Sequence, residues 1–96
     1  MKIDNYIWIF SGAGGKFPGG VFSELSKAEN WIQENSLSGV LTKYPINQGV
    51  FEWAIENQAH SLSQEKLEEK RSDPKFIGSF TSASQEHYHY ENGKRD

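Results

Sequence analysis

The chain contains no cysteine. Disulfide staples, thiolate zinc sites and cysteine nucleophiles are therefore excluded, and a reducing compartment suits it. Long hydrophobic runs are missing as well. The apolar run near the amino terminus, "YIWIF", is too short for a signal peptide and follows Asp4 closely. No stretch approaches the roughly 20 apolar residues that span a bilayer. The expectation is a cytoplasmic protein with no membrane partner. A basic stripe is lacking too. Ten Lys and Arg stand against thirteen Asp and Glu, for a net charge of −3. The densest basic cluster, "EEKRSDPK", is diluted by acids, so nucleic acid is not an expected partner.

Aromatics are what the chain has in excess: three Trp, six Phe and four Tyr among 96 residues. A chain this short forms one domain, here residues 1–96, and buries a modest share of its surface. Large rings, each burying about 150–250 Å², let such a core be built from few residues.

The pattern along the chain is that of an α+β domain. "NYIWIFSG" has apolar side chains on both alternations and reads as a buried strand, followed by the glycine-rich loop "GAGGKFPGG" and a short strand at Val21 and Phe22. "SELSKAENWIQENSLSG" reads as a helix. Leu25, Ala28, Trp31 and Ile32 share one face, Ser26 and Glu29 have the spacing of a capping box, with Ser23 a possible cap one turn earlier, and Gly39 is placed to end the helix. "GVLTKYP" is a strand ended by Pro45. "VFEWAIEN" fits a strand or a helix, with Asn47 as cap, and the helix is the favoured reading. The segment 57–73 is polar, with like-charge neighbours such as Glu65 and Glu69, and reads as a mobile connection or a frayed helix. "KFIGSF" and "EHYHY" read as strands, the second closed by the turn dipeptide "NG". The expected architecture is a small, mainly antiparallel sheet with one capped amphipathic helix on one face and a second short helix.

Chemistry concentrates in "EHYHYENG". In a strand, His87, His89 and Glu91 share one face while Tyr88 and Tyr90 point the other way. Two imidazoles and a carboxylate make an open donor set for a divalent metal, with His60 as a further candidate ligand. The alternative is a polar outer face backed by inward tyrosines. The glycine-rich loop lacks both the phosphate-loop and the dinucleotide spacing, because Lys16 is not followed by Ser or Thr and no helix opens directly after it. No serine stands in G-x-S-x-G. The residues thus offer no enzyme signature and call for no cofactor. They favour a protein-interaction module that uses aromatics such as Phe17 and Tyr44, together with the strand at His87, His89 and Glu91.

"GVFSELSKAENWIQENSLSGVLTKYP", "GVFEWAIEN" and "FIGSFTSASQEHYHYENG" resemble a family of small, mostly bacterial proteins with a helix ending W-I, an L-S-G-x-L-T-x-Y-P strand and a closing E-H-Y-H-Y-E-[ND]-G. The resemblance runs from Tyr6 to Gly93. One departure is Gln58, where the family has glycine after the W-A-I-E-N element. The resemblance implies no activity. It implies a small accessory protein of the bacterial cytosol, and so a binding role of the accessory or immunity-like kind.

Overall fold

A computed structural model describes residues 6–56, 63–77 and 86–96. Five antiparallel strands form one sheet: β1 (Tyr6–Gly12), β2 (Gly20–Phe22), β3 (Gly39–Pro45), β4 (His87–Glu91) and β5 (Lys94–Arg95), in the spatial order β2-β1-β3-β4-β5. The helices are α1 (Leu25–Glu34), α2 (Val50–Glu56), α3 (Gln64–Lys70) and α4 (Pro74–Ile77). The α+β architecture stands as expected. Among the described residues no helix is long and apolar enough to cross a membrane.

The core lies between α1 and one face of the sheet. Trp8 and Phe10 of β1, Leu41 of β3 and Tyr90 of β4 meet Ala28 and Ile32 of α1, and all six are buried. Register explains the grouping. Phe10 stands opposite Leu41, and Leu41 opposite Tyr88, so the alternation of each strand sends its large residues to the same side. Trp8 stacks on Tyr88 with ring centres 5.8 Å apart, and Phe10 meets the edge of Trp31 at 5.6 Å. Such pairs add about 0.5–1.5 kcal/mol beyond area burial.

The helix limits differ from the sequence expectation. α1 begins at Leu25 behind Glu24, whose side chain makes no capping bond, and Ser26 lies inside the first turn. The capping box does not form, because Glu29 is engaged by Tyr90 and Arg95 instead. Gly39 is not the terminator either. Ser36 takes a left-handed φ of 49°, its N–H bonds to Gln33 O and the Leu37 N–H bonds to Ile32 O. That double bond is the Schellman pattern, and Leu37 packs on the core beside it.

α2 confirms the helical reading of "VFEWAIE". Its first turn is set by the Trp53 N–H bonding to Gly49 O, while Asn47 sits upstream with φ 61° and is not the cap. The polar segment contains the helix α3, capped by the Ser63 hydroxyl, which accepts from the Lys66 N–H. Its like-charge spacing is offset by i,i+3 pairs: Lys66 to Glu69 at 3.7 Å and Arg71 to Glu68 at 3.2 Å. "KFI" is helical rather than extended. Asp73 Oδ1 accepts from the N–H groups of Lys75 and Phe76, and Pro74 fills the first helical position. The remainder of "KFIGSF" and the span 57–62 lie outside the described residues.

Candidate functional site

The sheet has a second face, turned away from the core side chains. Val21, Ile9, Thr42 and His87 form one cross-strand row there, and Ser11, Val40 and His89 the next. Tyr44, paired with Ile7, belongs to the same face. The structure thus brings Tyr44, His87 and His89 to one surface, as alternation requires. It does not bring Phe17 there, which stands in the β1–β2 connection at 81% exposure. His60 lies outside the described residues.

His87 is half-buried and His89 exposed, and their ring centres are 5.2 Å apart with planes at 82°. β3 pairs with both backbones, at Thr42 and Val40, and on the other side the Asp96 N–H bonds to His89 O at 2.9 Å. Glu91 stands directly opposite Lys94, beside the turn. Among the described residues no three His, Cys, Asp or Glu side chains converge on a point that could hold a metal. The inward half of the "HYHYE" pattern is plain: Tyr90 is 5% exposed and Tyr88 packs against the core.

A polar cluster on the core side went unseen in the sequence. The Tyr90 hydroxyl donates to Glu29 Oε2 at 2.6 Å, and Arg95 donates to the same oxygen from Nε at 2.8 Å and again from Nη2. The Arg95 guanidinium also lies 3.9 Å over the ring of Tyr88. Partial burial by itself would raise the Glu29 carboxyl, but the hydrogen bonds from Tyr90 and Arg95 and the Arg95 charge outweigh it. The carboxyl is held below its usual value. Burial, followed by the bond to Glu29, pushes the Tyr90 phenol up to about 12. Separations of 61 and 66 residues hid these contacts from local pattern reading. The cluster ties β4 and β5 to α1. Next to it the turn Asn92–Gly93, with φ 50° and 84°, docks on the end of α1, where the Gly93 N–H bonds to Leu37 O at 2.8 Å.

A cavity of 370 Å³ opens between β1 and the start of α1, with Tyr6, Trp8, Lys43 and Glu24 on its wall. Lys43 Nζ lies 4.5 Å from the Tyr6 ring centre and 3.7 Å from Glu86 Oε1, so the cation already has aromatic and carboxylate partners. The two most exposed large hydrophobic side chains among the described residues lie elsewhere. Besides Phe17, Val21 is 60% exposed on β2, which forms one edge of the sheet.

Neither a curated protein nor a solved structure gives a significant match to the chain. A family model described as a domain of unknown function (DUF7710) matches residues 7–96, from the second residue of β1 through the β5 hairpin. The chain belongs to that family.

Proposed function

We propose that the protein is a small, non-catalytic protein-interaction module of the bacterial cytosol, of the accessory or immunity-like kind, and that it engages its partner through Phe17 and the β2 edge. One observation carries the reading: Phe17, a full phenyl ring, is 81% exposed, more than any other large hydrophobic side chain among the described residues. Exposed large apolar groups at a sheet edge are the usual anchors of protein interfaces, and the edge itself offers unpaired backbone groups. Val21 at 60% exposure extends the surface along β2. The loop carrying Phe17 is rich in glycine, including Gly14 at φ 79° with open space around it, so it can adapt to a partner.

The test uses the whole chain and quantitative affinity capture from the source organism, followed by titration of each captured protein in purified form. Phe17→Asp, alone and with Val21→Lys, should weaken a true partner by about thirtyfold or more, the range of an interface hot spot. Equal affinity of the double variant and the parent for every captured protein would refute the reading.

A further inference from the structure

We infer that His87 and His89 form a two-imidazole chelate for a borderline divalent transition metal such as Cu²⁺, Ni²⁺ or Zn²⁺. The inference concerns a different surface from the Phe17 edge and stands independently of it. In a tetrahedral site the ion lies about 3.2 Å from each ring centre, from a metal–nitrogen bond of about 2.0–2.1 Å plus about 1.1 Å within the ring. Two rings meeting the ion at about 109° then have centres about 5.2 Å apart. The observed separation is 5.2 Å. The interplanar angle of 82° is compatible, because each ring turns freely about its own metal–nitrogen axis and the histidine χ2 torsion is soft.

The backbone supplies the preorganisation. Residues two apart on a strand place their side chains about 6.5–7 Å apart on one face. β3 pairs with β4 along both histidines, and β5 pairs with β4 just beyond them, at Tyr90 and Glu91. Pairing with β3 keeps the two imidazoles on one face of a folded strand, so that no folding cost falls on each binding event. Glu91 is not the third ligand, as Lys94 faces it across the hairpin and no third acidic or histidine side chain converges among the described residues. Water or an outside donor fills the remaining coordination positions. Imidazole donors select Cu²⁺, Ni²⁺ and Zn²⁺ over Mg²⁺.

The full chain, freed of metal, is titrated with Cu²⁺, Ni²⁺, Zn²⁺ and Mg²⁺, each as a simple salt. Binding is read by calorimetry and by paramagnetic broadening of amide signals with Cu²⁺. The expected result is saturable binding of Cu²⁺, Ni²⁺ and Zn²⁺, none with Mg²⁺, and broadening centred on residues 86–91. His87→Ala and His89→Ala each weaken binding at least about tenfold, since each breaks the chelate, and the pair of changes abolishes it. Unchanged far-ultraviolet circular dichroism of the variants shows that the fold survives, and His60→Ala keeps the parent midpoint. Saturable binding retained in the double variant, equal binding of Mg²⁺, loss on His60→Ala, or no saturation of the parent by millimolar Cu²⁺ would each overturn the two-histidine assignment.

Discussion

Gly39 is where β1, β3 and β4 meet, opposite both Gly12 and Tyr90 in register. A Cβ added there would fall on Ser11 O and come within 2.8 Å of Phe10 Cζ and 2.9 Å of Gly12 Cα, and the residue has φ +156°. Two of these three neighbours are backbone atoms of β1 and cannot swing aside. Overpacking of this kind costs about 1–3 kcal/mol. The unfavourable backbone angle adds about 1–3 kcal/mol. Alanine returns about 0.4–1 kcal/mol by restricting the unfolded chain. Gly39→Ala should therefore destabilise by about 1–5 kcal/mol, which lowers Tm by roughly 5–40 °C in a domain of this size. Gly14→Ala is the internal control. Its φ is +79° but nothing lies within 4 Å of the added carbon, so only the left-handed penalty applies. Less the entropy gain, that leaves about 0–1.5 kcal/mol. Urea unfolding followed by circular dichroism reads both, through a lower midpoint at unchanged slope. Equal losses for the two variants would refute the close approach of β1 and β3.

Ile32→Ala should cost about 2–5 kcal/mol, because Ile32 has no exposure and its cavity would open between α1 and the sheet; chemical denaturation checks this. Glu29 is held below its usual value of 4.5 in the fold, so its contribution is complete above about pH 4.5 and is lost as the pH falls through the lowered value. Acid unfolding of Glu29→Gln should lack that part of the pH dependence. Tyr90, raised from 10 to about 12, favours the fold up to about pH 10 and loses that advantage as the pH climbs towards 12. Tyr90→Phe should flatten the alkaline limb in a spectroscopic pH titration of stability.

Period-two and period-3.6 patterns made most of the fold legible. "YIWIF", "LTKYP" and "HYHYE" each send large residues to one side, and Leu25, Ala28, Trp31 and Ile32 form the stripe that meets them. The failures have physical causes. Ser26 and Glu29 had capping-box spacing, yet Glu29 is taken by Tyr90 and Arg95, partners more than 60 residues away. Helix α1 ends on Ser36, a non-glycine in the left-handed region, whose double backbone bond offsets the steric cost. "KFI" resembled a strand, although "DP" before it carries a capping aspartate and a first-turn proline. Alternation also placed His87 and His89 together, but it could not give their separation or show that Glu91 faces Lys94. Phe17 stood out only as an aromatic in a loop, and its exposure needed the fold.

The most direct test of the proposed role is the affinity of a purified partner for the parent chain and for Phe17→Asp. Phe17 is almost fully exposed, so its replacement should leave stability within about 0.5 kcal/mol. With the fold intact, the account predicts a loss of about thirtyfold or more in binding. A partner that binds the two chains equally well would contradict it.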